Sequence, residues 1–187
     1  MDIFFLLLSG YLLGSIPSAW LIAHRFAGVD IREAGSGNMG TYNVLRVLGK
    51  RAAIITLIMD VGKGSLAASL PLLLDHPQYL SLLAALLAII GHMFPVYLDF
   101  KGGKSIAVFS GTLIIINPWI LILFLVSWTA FYLISKKITL SSIIAFLITP
   151  AAVVLLEESS LELFIFLLAA SLIIIIRHIP DLKRERG

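Results

Sequence analysis

Long runs of Ile, Leu, Val, Ala and Phe alternate along this chain with short polar stretches. A helix that crosses a bilayer needs about 20 mostly apolar residues. On that measure a first span covers residues 3–23, in spite of Gly14 and Pro17. A polar stretch rich in Gly and Asn follows over 24–51, then a second apolar run over 52–74 with Asp60 and Lys63 near its start. Asp75-His76-Pro77-Gln78 reads as a turn, and a third run covers 79–98. The loop 99–104 precedes a fourth run, 105–116, that is short for a span. After a tight turn at Asn117-Pro118 come runs over 119–135, 139–156 and 161–176, and then a basic tail over 177–187. The pattern predicts an all-α fold: a polytopic membrane helical bundle of seven transmembrane helices, organised as a single domain over 1–187. The first segment has neither a basic leader nor a small-residue cleavage site, and is expected to stay as a span. No strong internal repeat divides the runs into inverted halves.

Composition strengthens this picture. The 187 residues are 59% hydrophobic and 13% charged, and a soluble domain of that length has too little interior to hide so much apolar surface. There is no cysteine, hence no disulfide framework, thiolate zinc site or thiol nucleophile. The formal charge of +3 does not mark a nucleic-acid binder, because no continuous basic face exists outside the apolar runs. Charge placement sets orientation instead. Arg25, Arg32, Arg46, Lys50, Arg51, Lys101, Lys104, Lys136, Lys137, Arg177, Lys183, Arg184 and Arg186 fall in alternate loops and the tail, and Lys63 sits at the same end of the second run. The intervening loops hold Asp75, Asn117-Pro118, Glu157 and Glu158, without Lys or Arg. The positive-inside rule therefore predicts an outside N-terminus and a cytoplasmic C-terminus. Omitting the short fourth run would invert every later loop.

Two polar loops carry candidate chemistry. The first reads Gly35-Ser36-Gly37-Asn38-Met39-Gly40-Thr41-Tyr42-Asn43-Val44-Leu45-Arg46. Small residues expose consecutive N–H groups, and such a nest before a helix start binds anions. Asn38 and Asn43 can bond hydroxyls, and Arg46 can grip a phosphate with two parallel bonds. The second loop includes His92 and Lys101-Gly102-Gly103-Lys104-Ser105. Its glycines permit close backbone approach between two lysines, and a helix begins directly after them. It is not a Walker A loop, since Leu98 stands where that pattern requires Gly.

Asp60 and Lys63, at i and i+3, share a helix face inside a span, where ionisable residues are costly and mark function. Lys63 could also snorkel to the interface, and Asp60 reads as orienting a basic residue. Ser142 opens the sixth run, where capping alone would account for it. His178 ends the seventh, and could serve as a base or simply as an interfacial histidine. No acidic metal cluster and no Gly-x-Ser-x-Gly elbow is present, so neither a metal nor a serine-hydrolase triad is expected. Phosphate loops, hydroxyls and histidines at one membrane face suit acyl or phosphoryl transfer between an anionic and a lipidic substrate. The alternative is a transporter or channel for a phosphorylated anion, which predicts polar residues at mid-membrane. A purely structural membrane subunit would leave the two loops and the Asp60–Lys63 pair unexplained.

At these residues the chain resembles the bacterial acyl-phosphate:glycerol-3-phosphate acyltransferases, the PlsY family. The likeness rests on Gly14-Ser15-Ile16-Pro17, Gly35-Ser36-Gly37-Asn38-x-Gly40 with Asn43 and Arg46, and Asp60-x-x-Lys63-Gly64. It continues with Gly91-His92-x-Phe94-Pro95, Phe100-Lys101-Gly102-Gly103-Lys104, Ser142 and Arg177-His178. Ser105 and Asp181 depart from it, standing where the family usually has Gly and Asn. The resemblance implies acyl transfer from acyl phosphate to the 1-hydroxyl of sn-glycerol 3-phosphate, giving lysophosphatidate and inorganic phosphate. It implies no cofactor, a monomer among membrane lipid, and a place in the bacterial inner membrane with the active site on the cytoplasmic side. No His here is followed five residues on by Asp, as the His-x4-Asp acyltransferases require.

Residue roles follow from the resemblance. Ser36, Arg46 and His178 are the expected catalytic residues. Asn38, Asn43, Lys63, His92, Lys101, Gly102, Gly103, Lys104 and Ser142 are the expected substrate-binding residues. Lys104 with its two glycines would take the glycerol 3-phosphate phosphate. Ser36, Asn38 and Arg46 would hold the acyl phosphate, Ser142 would bond one phosphate, and His178 would orient or deprotonate the attacking hydroxyl.

Overall fold

The computed structural model describes residues 2–151, 153 and 160–184, with residues 183 and 184 in backbone only. Glu157, Glu158 and Arg186 lie outside the described residues. Every regular element described is helical. The helices are α1 (Ile3–Ser15), α2 (Ser18–Ala27), α3 (Thr41–Leu48), α4 (Lys50–Leu73), α5 (Gln78–Met93), α6 (Ile106–Ile116), α7 (Pro118–Ser135), α8 (Ile138–Ile148) and α9 (Leu161–Arg184). They form two compact units, Met1–Ile115 and Ile116–Gly187.

Among the described residues five stretches are long and apolar enough to cross a membrane: Ile3–Ala27, Lys50–Leu73, Gln78–Leu98, Pro118–Ser135 and Leu161–Leu182. Two shorter apolar helices, Ile106–Ile116 and Ile138–Ala151, accompany them. The fourth apolar run forms only eleven helical residues, about 16 Å at the α-helical rise, against a hydrocarbon core of about 30 Å. Large apolar side chains such as Ile58, Leu73, Trp119, Val126, Ile134 and Ile176 point outward, as a hydrocarbon solvent permits.

The first span is broken. Pro17 lacks an N–H and fixes its own φ, so α1 ends at Ser15 and α2 begins at Ser18. The polar stretch after it is partly helical. Gly49, at φ +83°, supplies a left-handed joint between α3 and α4. The expected tail is helical too: α9 runs past the span, with Pro180 inside it, to Arg184.

Glycine sets the packing of the first unit. A methyl built on Gly10 would lie 2.8 Å from the Ala84 carbonyl, and one on Gly14 would strike Ala88, so α1 and α5 touch backbone to backbone. Gly64 meets Val108 and Gly111 meets Val61 in the same way, which seats α6 against α4. Between helices in lipid there is little hydrophobic drive, and small residues allow the close van der Waals contact that replaces it. Ser65 Oγ donates to the Gly111 carbonyl at 2.9 Å across that second seam. In the second unit α8 packs against both α7 and α9.

Candidate functional site

The first glycine loop is ordered by one buried amide. Asn43, 1% exposed, accepts from the Ser36 N–H with Oδ1 at 2.8 Å. Its Nδ2 donates to the carbonyls of Ile31 at 3.2 Å and Ala34 at 3.0 Å. Gly35, at φ +64°, packs on this amide where a side chain would strike Oδ1. Asn43 is therefore engaged within the loop. Ser36 and Arg46 are exposed and Asn38 is half-buried, so these side chains border solvent while Asn43 shapes the backbone behind them. Upstream, Arg32 and Asp30 pair at 2.6 Å. The Arg32 hydrogen bond holds the Asp30 carboxyl down from 3.8 to about 2, against the opposing effect of burial.

The second loop is bound to α5. The Gly103 N–H donates to the His92 carbonyl at 3.0 Å. A methyl on Gly103 would strike His92 Nε2 and lie 2.6 Å from the Met39 carbonyl. A methyl on Gly102 would strike the His92 carbonyl and lie 2.6 Å from Pro95 Cδ. Both glycines are therefore required by close approach, and the contact with Met39 places the first loop beside the second. Asp99, Phe100 and Ser105 carry positive φ of 51°, 59° and 63°. Such strain in non-glycine residues clusters where a backbone is held for a purpose. Ser105 Oγ donates to the Ile89 carbonyl at 2.8 Å. Lys101 is exposed, and Lys104 is half-buried between the tied residues Gly103 and Ser105.

Lys63 does not snorkel. It is 4% exposed, and its ammonium lies 2.7 Å from the Ile16 carbonyl, 2.8 Å from His92 Nδ1 and 2.9 Å from Asp60 Oδ1. The Ile16 carbonyl, at the Pro17 break, also accepts from the Ser18 N–H at 3.0 Å, so Lys63 takes its second lone pair. An ammonium only donates, so Nδ1 accepts and the ring proton resides on Nε2. Residues 60, 63 and 92 thus form one buried group beneath the loops.

In the second unit Ser142 is fully buried. Its hydroxyl donates to the Ile138 carbonyl at 2.8 Å and accepts from Trp128 Nε1 at 3.0 Å. Trp128 stacks on Tyr132 with ring centroids 5.2 Å apart. His178 is 2% exposed, and its Nδ1 lies 2.8 Å from the Ile174 carbonyl one turn back. A carbonyl only accepts, so Nδ1 carries the proton and Nε2 is the basic nitrogen.

Sequence reasoning missed the parts contributed by backbone and by distant side chains. The Met39 and Ile16 carbonyls carry no residue signature, although Pro17 signals the break at which the second lies. Trp128 reads along the chain as one more apolar residue of its span. Ser105 stands out in the sequence only as a departure from the family pattern, and its bond to Ile89 depends on how α5 meets the loop.

Comparison with known proteins agrees with this architecture. Residues 4–186 match the glycerol-3-phosphate acyltransferase family. The chain is 38% identical to a glycerol-3-phosphate acyltransferase of Macrococcus caseolyticus over 98% of its own length and 93% of that protein's. It is 39% identical to one from Streptococcus mutans over 100% and 92% of the two chains. Among solved structures it is similar to PlsY (YgiH), an integral membrane glycerol 3-phosphate acyltransferase, in its glycerol 3-phosphate form. That likeness has a TM-score of 0.86 and 30% identity, and covers 97% of this chain and 90% of the other. The lysophosphatidic acid form of the same enzyme superposes with a TM-score of 0.84 at 30% identity over the same shares. With glycine-built loops on an all-helical membrane scaffold and a family match over nearly its whole length, this chain belongs to the glycerol-3-phosphate acyltransferase family, the PlsY proteins.

Proposed function

We propose that the chain transfers an acyl group from acyl phosphate to the 1-hydroxyl of sn-glycerol 3-phosphate. The observation that carries this reading is the meeting of two glycine loops at Gly103, where the His92 ring and the Met39 carbonyl both lie against the point a side chain would occupy. Both substrates bear a phosphate, so the reaction needs two anion sites within reach of each other. The glycerol 3-phosphate and lysophosphatidic acid forms of the similar crystal structures support the acceptor and the product.

In this reading Lys104, with the Gly102 and Gly103 backbone and aided by Lys101, holds the phosphate of glycerol 3-phosphate. Ser36, Asn38 and Arg46 bind the acyl phosphate and stabilise charge that develops on its oxygens. Ser142 contributes a hydroxyl to one phosphate. The 1-hydroxyl oxygen attacks the acyl carbon, the bond from that carbon to the phosphate oxygen breaks, and an ester forms. The hydroxyl proton passes to His178 Nε2 or to a substrate phosphate, and inorganic phosphate leaves. A mixed anhydride already has a good leaving group, so positioning supplies much of the rate. We read Asn43 as acting through the loop it braces.

The same reading places seven helices across the inner membrane of a bacterium, with the N-terminus outside and a monomer's active site on the cytoplasmic side. It takes residues 1–187 as one acyltransferase domain, with the acyl chain of the substrate between spans and open to lipid. The test is an assay of purified protein with acyl phosphate, acyl-CoA and acyl-carrier protein as separate donors. Lysophosphatidate and inorganic phosphate are expected from acyl phosphate alone. Product from acyl-CoA in the absence of acyl phosphate would overturn the donor assignment.

A further inference from the structure

Asp60, Lys63 and His92 lie beneath the loops rather than in them. An ion pair buried in this way is weak support for stability, because removing two charges from water costs as much as their attraction returns. Its geometry has another consequence. Lys63 ties the broken first span to α5 by reaching the Ile16 carbonyl and His92 Nδ1 together. His92 then carries both loops. Its carbonyl receives the Gly103 N–H at 3.0 Å, and its Nε2 edge faces the point where Gly103 approaches the Met39 carbonyl. The angle of the imidazole about its Cβ–Cγ bond decides how this edge meets Gly103. Lys63, held by Asp60 at 2.9 Å, fixes that angle from the opposite nitrogen.

We propose that Asp60, Lys63 and His92 are positioning residues that fix both glycine loops from below, with Lys63 setting the His92 ring and His92 setting Gly103 against Met39. This replaces a direct substrate contact for Lys63 and His92, and its kinetic consequence rests on the acyltransferase reading above. Lys63 is engaged on three sides within 2.9 Å, by hydrogen bonds to the Ile16 carbonyl and His92 Nδ1 and by an ion pair with Asp60. A phosphate would have to displace one of them.

The experiment compares the full chain in lipid nanodiscs with Lys63→Met, which keeps the stem and removes the ammonium, and His92→Asn, which keeps an acceptor facing Lys63 and removes the Nε2 edge. Amide hydrogen exchange is read without substrate. Peptides over 35–40 and 99–104 should exchange at least about tenfold faster in each variant, while those from α4 and α5 keep their protection. In the acyl-transfer assay the KM for glycerol 3-phosphate should rise about tenfold, with kcat within about threefold of wild type, as expected for a displaced rather than deleted binding group. The double variant should resemble the worse single variant, since both changes break one linkage.

Unchanged loop exchange in both variants overturns the proposal, as does a double variant whose effects multiply. If Lys63→Met does not fold, His92→Asn decides alone. If wild-type protein forms no lysophosphatidate, the acyltransferase reading fails while the exchange result still decides the positioning role.

Discussion

The hydroxyl of Ser105 donates to the carbonyl of Ile89 at 2.8 Å, and Ser105 makes this bond from a left-handed backbone, at φ +63°. The bond anchors the residue after Lys104 to α5, while the Gly103 N–H anchors the residue before it. A left-handed L-residue costs about 1–2 kcal/mol, and a hydrogen bond of this kind contributes about 1 kcal/mol. Ser105→Gly removes both and should leave the thermal midpoint close to wild type. Ser105→Ala keeps the strain and loses the bond, which should cost about 1–2 kcal/mol. For a chain of this size that is a drop of about 2–8 °C. Thermal unfolding in detergent checks the order, and an alanine variant as stable as the glycine variant would contradict this account of Ser105.

Asn43 offers a sharper test of loop architecture. Asn43→Asp keeps an acceptor for the Ser36 N–H but turns an oxygen toward the Ile31 and Ala34 carbonyls in place of a donor. Two lost bonds at a buried site should cost about 2–3 kcal/mol of loop stability. Limited proteolysis within 31–40 should accelerate by at least about tenfold. The KM for acyl phosphate should rise as Ser36 and Asn38 lose their support. Cleavage at the wild-type rate would show that the loop does not depend on this amide.

The Asp30–Arg32 pair predicts a pH dependence of the same loop. Asp30 has its folded pKa depressed from 3.8 to about 2 by Arg32, so the pair's contribution is complete above about pH 4 and is lost as pH falls toward 2. The same bond raises the Arg32 pKa, with smaller attraction from Asp99 and Glu33, so Arg32 keeps its charge throughout. Both side chains are roughly a quarter to a third exposed, and solvent screening keeps the effect modest. Proteolysis of 28–40 should therefore rise between pH 4 and pH 2 in wild type. Arg32→Gln should show the raised susceptibility at neutral pH and a flatter profile. A wild-type profile unaltered by Arg32→Gln would remove the pair from the account of this loop.

Much of this was legible along the chain. A helical membrane fold follows from local hydropathy, since a bilayer demands internal hydrogen bonding over about 20 residues and each run declares itself without reference to the others. Gly102, Gly103, Lys104, Ser36 and Arg46 stand out because phosphate recognition uses few residue types at short spacing. Pro17 gave a reason to expect trouble in the first span, but not that α1 and α2 would separate there. The shortness of α6 is plain in the sequence, while the helical course of α9 beyond residue 176 is not, because local polarity reads as a tail even where the backbone stays helical.

What only the tertiary structure decided is which polar groups face one another. Lys63 reads equally as an anion binder or a snorkelling side chain until the Ile16 carbonyl, His92 and Asp60 surround it. The Asn43 amide has no evident partner along the chain, and the fold sets it against the Ile31 and Ala34 carbonyls and the Ser36 N–H. Ser142 reads as a cap until Trp128 is found donating to it. A hydrogen bond is directional and short, and its partner here is often a backbone carbonyl or a side chain tens of residues away. The sequence by itself determined the solvent, the helices and the residue types available for phosphate chemistry. Helix packing, through close approaches such as Gly14 on Ala88 and Gly64 on Val108, determined which of them border solvent and which hold the others in place.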